Sequence, residues 1–128
     1  MPVELAATYR AYIACLNGRG WDELPSFVHE EVEHNGCALG VAGYRAMLES
    51  DVESIPDLRF AIDLLVVDAP RVASRLLFDC RPRDRFMGLD VAGRRIRFAE
   101  NVFYAFEGGL IRTVWSVIDK ASIEAQLR

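Results

Sequence analysis

The hydrophobic period of this chain changes once, at Ile55-Pro56, and that change constrains the fold more than any composition figure. Upstream, Leu5, Tyr9, Tyr12, Ile13 and Leu16 recur at helical spacing, and Asn17-Gly18 supplies a stop. A second, short helix is expected next: Asp22 suits its N-cap, Pro25 its first turn, and Trp21, Leu24, Phe27 and Val28 share a face. Residues 32–37 read as a short strand. Val41, Tyr44, Met47, Leu48, Val52 and Ile55 then mark a third helix, which must end where Pro56 disfavours helical backbone at its predecessor. Downstream the period is that of strands. They are predicted over 58–67, 72–81, 94–106 and 110–119, with Asp68-Ala69-Pro70 and Glu107-Gly108-Gly109 as turns. A closing helix covers 121–127. Helices first and strands after, joined by hairpin-length turns, indicate an α+β fold: N-terminal helices packed on a strongly curved antiparallel sheet that closes a cone around an internal pocket.

Composition narrows the reading. The chain has 128 residues, 52% of them hydrophobic and 27% charged, which suits a single domain over 1–128. A net charge of −4 argues against nucleic acid as a partner. No apolar run approaches the ~18 residues of a membrane span. Residues 1–19 lack the positive start of a secretory leader. The three cysteines are odd in number and widely spaced, with no CxxC or CxxH, so neither disulfides nor a metal site is expected, and a reducing cytoplasm is the default. Arg81, Arg83, Arg85, Arg94, Arg95 and Arg97 read as a solvated, ion-paired segment, the alternative being recognition of an anionic substrate group at the pocket mouth.

The last hairpin carries the candidate chemistry. With Gly108-Gly109 as a two-residue turn, Glu107 pairs with Leu110 and Phe106 with Ile111. Strict alternation then puts Phe98, Glu100, Val102, Tyr104 and Phe106 on one face, opposite Ile111, Thr113, Trp115, Val117 and Asp119. The other face carries Arg97, Ala99, Asn101, Phe103 and Ala105, with Arg112, Val114, Ser116 and Ile118. The first face is the more apolar and is expected against the helices, so Glu100 and Asp119 should be inward carboxylates close together. A slip of one residue would turn one strand's set to the other face. Carboxylates on an apolar face are costly and titrate above their ordinary range, which suits proton transfer near neutrality. A structural role also fits, with Asp119 capping the closing helix and Glu100 meeting an arginine. In Val32-Glu33-His34-Asn35, the apolar Val32 suggests that His34 points inward as well.

The segments Ile55-Pro56-Asp57-Leu58-Arg59, Arg71-Val72-Ala73-Ser74-Arg75, Phe86-Met87-Gly88, Ala92-Gly93-Arg94-Arg95-Ile96 and Gly109-Leu110-Ile111, leading to Trp115-Ser116-Val117-Ile118-Asp119, together resemble the SnoaL-like polyketide cyclases of the nuclear transport factor 2-like superfamily. The resemblance runs over nearly the whole chain. It implies an α+β cone with a deep apolar pocket and an acid/base aspartate ending the last strand, matched by Asp119, which acts in an aldol closure without a cofactor. It also implies an inward polar residue on the first short strand, matched by His34, or by Asn35 if that strand shifts by one. Glu100 matches a position that looks toward the pocket. Two departures touch the pocket rim: Arg81-Pro82-Arg83-Asp84-Arg85 replaces a small-His segment, and Ala92 replaces a threonine.

The function expected from both lines is a cofactor-free acid/base enzyme for a small or polycyclic apolar carbonyl compound, an aldol cyclase or isomerase. Asp119 would take a proton α to the carbonyl and His34 or a nearby donor would stabilise the enolate oxygen, with Glu100 beside them. Tyr9, Tyr12, Asn35, Phe98 and Trp115 would hold the substrate. The alternatives are epoxide hydrolase-like water activation, which needs an inward arginine beside the carboxylates, and a non-catalytic ligand-binding or assembly domain. The outer sheet face, with Phe103, Val114 and Ile118 among polar residues, is expected to be covered in a homodimer.

Overall fold

A computed structural model describes residues 4–128; the first three residues of the segment read as lacking a leader lie outside them. Helix α1 (Leu5–Asn17) starts where the Glu4 side chain accepts from the Ala6 amide. It ends as expected at Asn17-Gly18, and the Asn17 amide bonds both backbone groups of Phe60, tying the helix end to the start of the sheet. Residues Trp21–Ser26 form a 3₁₀ turn in place of the short helix. Strand β1 spans Val28–His34, four residues earlier than its hydrophobicity suggests, and its second half turns through Asn35-Gly36 into β2 (Cys37–Ala38). Helix α2 (Gly40–Ser54) follows. Only glycine suits its first residue: φ at Gly40 is +66°, and an added Cβ would come within 3.2 Å of the Glu30 carbonyl oxygen.

Six strands follow: β3 (Ala61–Asp68), β4 (Arg71–Cys80), the small hairpin β5 (Arg85–Phe86) and β6 (Leu89–Asp90), then β7 (Ile96–Glu107) and β8 (Leu110–Ile118). Helix α3 (Lys120–Leu127) closes the chain. The main sheet has the order β2-β1-β8-β7-β4-β3, and all neighbours are antiparallel except β1 and β8. That parallel pair departs from the all-antiparallel expectation. The strands are separated by most of the chain, and a parallel pair needs such a long connection.

The sheet curves, and α1 and α2 pack on its inner face. Tyr9, Tyr12, Ile13 and Leu16 of α1 and Tyr44 and Leu48 of α2 meet Val72, Leu76 and Phe78 of β4, Phe98, Val102, Tyr104 and Phe106 of β7, and Ile111 and Val114 of β8. The arginine-rich segment is exposed as expected. Arg95 and Arg97 pair with Asp79, and Arg94 donates to the carbonyls of Gln126 and Leu127. Cys15 and Cys80 are buried free thiols.

The β7–β8 turn is as expected: Glu107 pairs with Leu110 and Phe106 with Ile111, with positive φ at both Gly108 and Gly109. Immediately beyond it, however, Ala105 pairs with Thr113, leaving Arg112 as an extra residue in a β-bulge. The Arg112 guanidinium is drawn toward β1, donating to the Glu31 carbonyl at 2.6 Å and lying 3.5 Å from Glu107. In the same place the Ile111 amide donates to the Phe27 carbonyl, so the bulge forms where β1 joins β8. Its consequence is a correction to the predicted face of β8. Val114, Ser116 and Ile118 look inward, whereas Thr113, Trp115, Val117 and Asp119 look out.

This facing has a direct test. Val114 is 2% exposed and Val117 69%. Val114→Ala should cost about 1–3 kcal/mol of stability through the buried volume it removes. Val117→Ala should stay within about 0.5 kcal/mol. Chemical denaturation of the two variants checks both, and the strict alternation would require the reverse order.

Candidate functional site

Alternation along β7 places Glu100 on the inner face between Phe98 and Val102. Its cross-strand neighbours are Leu76 on β4 and Ile118 on β8, so apolar side chains flank the carboxyl on both sides. The Ser116 hydroxyl, turned inward by the bulge, donates to Glu100 Oε2. Burial raises the Glu100 pKa above the usual carboxylate range; the Ser116 bond works against that rise, and the charge of Asp51 adds to it.

Glu100 opens onto a cavity of about 350 Å³ between the sheet and the two helices, also lined by Tyr12, His34, Tyr44, Asp51, Phe86 and Ser116. This is the size of a small-molecule site. Exposed residues Asn35, Asp51 and Met87 mark its mouth. An annex of about 70 Å³ is walled by the aromatic group Phe60, Phe78, Phe86 and Phe98, whose successive rings lie 5.1–5.3 Å apart. Asp51 reaches solvent on one side, while protein crowds its carboxyl on the other and lifts its pKa to about 6. His34 is half-buried beside Tyr44, ring centroids 6.3 Å apart, and desolvation lowers its pKa, which favours the neutral imidazole.

The predicted residues therefore divide. Glu100, His34, Asn35 and Tyr12 line the cavity. Phe98 walls the annex, and Tyr9 lies behind the wall, fully buried. Asn35 is held by Ser116, donating to its carbonyl and accepting from its amide, so its side chain extends the β1–β8 pairing at the mouth. Trp115 and Asp119 do not join this group, because the Arg112 bulge turns them to the outer face. Trp115 is 45% exposed there, and Asp119 caps α3 by accepting from the Ser122 amide at 3.1 Å. That cap is the structural alternative weighed for this residue.

Asp119 borders a larger cleft on the outer face, about 460 Å³, with Arg59, Arg75 and Arg97. Two of those arginines are ion-paired, Arg75 with Asp63 and Arg97 with Asp79, at side chains open to solvent. It carries no sequestered acid, so the interior cavity is the stronger candidate site. Sequence reasoning missed Asp51, Tyr44 and Ser116 as site residues. A signal for Asp51 was present, since it stands seven residues after Tyr44 and three after Leu48, an acid on the apolar stripe of α2. Ser116 was hidden by the bulge. Among the described residues no three His, Cys, Asp or Glu side chains gather as a metal site, and no helix is long and apolar enough to cross a membrane.

Helices packed on a curved, mostly antiparallel sheet around an internal pocket make the architecture of the nuclear transport factor 2-like proteins. The sequence profile of the SnoaL-like polyketide cyclases matches residues 6–127, and the chain belongs to that family. A SnoaL-like polyketide cyclase from Agrobacterium tumefaciens is 53% identical, with a TM-score of 0.98 over 99% of this chain and 100% of that one. TsrD from Streptomyces laurentii is 25% identical, with a TM-score of 0.83 over 95% of this chain and 92% of its own. AclR from Streptomyces galilaeus, at 19% identity and a TM-score of 0.78, covering 97% and 95%, shares the fold. No curated protein matches the sequence significantly.

The crowded mouth carboxylate makes stability pH-dependent. Asp51 titrates near 3.8 when unperturbed and at about 6 in the fold, so the folded chain holds this proton more tightly. Its ionised form then costs stability above about pH 6, and the cost disappears toward pH 4 as the group is protonated in both states. Asp51→Asn should raise the Tm at neutral pH, with the gain fading as pH falls through that window. Thermal melts of the two proteins across pH check it; a gain that grows on acidification would contradict the placement.

Proposed function

We propose that this chain is an acid/base enzyme that moves a proton α to a carbonyl in a small or polycyclic apolar compound, as an aldol cyclase or isomerase does, with Glu100 as the proton carrier. The observation that carries this reading is the Glu100 carboxyl held between Leu76 and Ile118 in the interior cavity, with Ser116 bonded to it. Membership of a polyketide cyclase family supports the reaction class. Proton transfer of this kind needs only positioned side chains, so the reading requires no cofactor. An elevated carboxyl pKa brings its basicity closer to that needed for carbon acids, while the apolar walls keep water from competing. Asp51 tunes Glu100 through its charge. Epoxide hydrolase-like chemistry has less support, since no arginine lines the cavity among the described residues.

The test is proton exchange. Wild-type protein in D₂O with 2-tetralone and simple β-keto esters should accelerate deuterium uptake at the α-carbon, followed by NMR. Glu100→Gln should slow this by about 100- to 10,000-fold, the usual contribution of a positioned acid or base. The wild-type rate should climb with pH through the raised pKa of Glu100, and Asp51→Asn should move that limb to lower pH. Exchange unchanged in Glu100→Gln would overturn the assignment. Compounds that bind without any catalysed exchange would leave a binding domain.

The assembly we propose is a homodimer through the outer sheet face. Cross-strand pairing aligns Val66, Ala73, Phe103 and Trp115 in one row, with Leu64 and Val117 in the next. Val66 is 63% exposed, Phe103 60%, Leu64 60% and Val117 69%. The bulge puts Trp115 and Val117 on this face in place of Val114 and Ile118. A second copy presents the same flat rows and can cover them across a two-fold axis. Light scattering at micromolar concentration should give twice the chain mass, and Phe103→Glu with Trp115→Arg should give the chain mass with an unchanged far-UV spectrum. A monomeric wild type would refute the dimer.

A further inference from the structure

All four tyrosines of the chain, Tyr9, Tyr12, Tyr44 and Tyr104, belong to the core, and Tyr12, Tyr44 and Tyr104 line the cavity. Their rings pack at centroid distances of 5.0 Å for Tyr9–Tyr104, 6.0 Å for Tyr9–Tyr12 and 6.1 Å for Tyr12–Tyr104. The hydroxyls pair off, Tyr12 with Tyr44 at 2.7 Å and Tyr9 with Tyr104 at 3.2 Å. Each phenol has one proton to donate. Within a pair, one proton is used between the two oxygens and the other is left to point at a third acceptor. A buried hydroxyl proton with no acceptor is costly, so the position of that acceptor matters.

Only one of the two pairs has both members on the cavity wall. Tyr12 and Tyr44 line it together with Glu100, whereas Tyr9 lies behind it. Among the described residues neither the Tyr12 nor the Tyr44 hydroxyl has a hydrogen-bond partner besides the other. Tyr12 is 1% exposed and Tyr44 3%, so the pair is held by packing on α1 and α2 and is fixed before any ligand arrives. Burial and the negative charge of Glu100 hold both phenols protonated, which keeps them donors at neutral pH.

We propose that the Tyr12–Tyr44 hydroxyl pair is the subsite that receives the substrate's carbonyl oxygen and hydrogen-bonds it as negative charge develops there. The inference rests on the reading of Glu100 as proton carrier. In that step the α C–H bond breaks, its proton forms an O–H bond on the Glu100 carboxylate, and its electron pair becomes the C=C bond of an enolate. Charge moves from Glu100 to the enolate oxygen, and nothing is oxidised or reduced. The donor pair meets the charge where it arrives, while the carboxyl gives its charge up. His34, the donor suggested from sequence, stands nearer the mouth and is not needed for this contact. The subsite selects ligands that present an anionic or enolisable oxygen at the end of an apolar ring.

The probe is 4-nitrophenol, whose oxyanion mimics an enolate and whose visible absorption reports ionisation; nitrobenzene, which lacks that oxygen, is the packing control. Wild-type protein should bind the phenolate. Tyr44→Phe and Tyr12→Phe, which keep the ring, should each weaken phenolate binding by about tenfold or more, as loss of a hydrogen bond to a charged group does, and leave nitrobenzene binding as it was. Using two variants on different helices keeps the test open if one fails to fold. Wild type without affinity for the phenolate, both variants binding it as wild type does, or an equal loss for nitrobenzene would each overturn the proposal. Glu100→Gln removes a like charge and should hold or strengthen phenolate binding. Failure of the exchange experiment with this binding pattern intact would therefore refute the Glu100 assignment alone.

Discussion

One extra residue in β8 governs what this protein encloses and what it presents. Arg112 is that residue, and its guanidinium is anchored on β1 at the Glu31 carbonyl with Glu107 close by. Because side chains alternate with period two, one added position exchanges the two faces of everything that follows. Ser116 and Ile118 are thereby set beside Glu100, and Trp115, Val117 and Asp119 are sent to the far side of the sheet. The pocket acid, its hydrogen-bond partner and the apolar outer face all follow from this local irregularity. It forms where a parallel strand docks onto an antiparallel hairpin, so it is a property of the assembled sheet.

The interior then has a clear polarity. Aromatic side chains wall the annex, Glu100 lines the cavity from the sheet, exposed Asp51 marks its mouth, and the phenols of Tyr12, Tyr44 and Tyr104 line it too. A half-buried acid with one bonded side-chain partner among the described residues is a poor device for stability, since desolvation raises its free energy when ionised. The same desolvation raises its pKa, which is the property the proposed proton transfer draws on. Asp51 adds a second negative charge near Glu100, which disfavours ionisation of Glu100 further.

The outer face shows the other consequence. Rows of Val66, Ala73, Phe103 and Trp115 cross three strand pairings without a charged interruption, whereas the neighbouring row includes Arg75 and Asn101. Asp119 belongs to this side and works locally, where its side chain bonds the Ser122 amide at the start of α3. Its place at the end of the last strand made it the natural candidate for pocket chemistry, but one residue of offset turns it out of the cavity and leaves Glu100 and Asp51 as the acids that line it.

Much of the architecture was determined by sequence alone. The helical period before Pro56 and the strand period after it, the Gly108-Gly109 turn and the inward face of β7 with Glu100 are all local properties, set by neighbours a few positions away, and they stand in the structure. The family was legible too, because its short motifs lie in order along the chain. What only the tertiary structure decided is non-local. Residues of β8 offered two apolar sets, Trp115 with Val117 and Val114 with Ile118, and hydrophobicity could not choose between them. The early part of β1 was masked by His29, Glu30 and Glu31, polar residues that nonetheless lie within the strand, between its Val28 and Glu33 pairings with β8. Joining those two distant segments places Arg112 in its bulge, and with it the inside and the outside of the last strand. Periodicity reports the spacing of a face; contact between strands far apart in sequence settles which face it is.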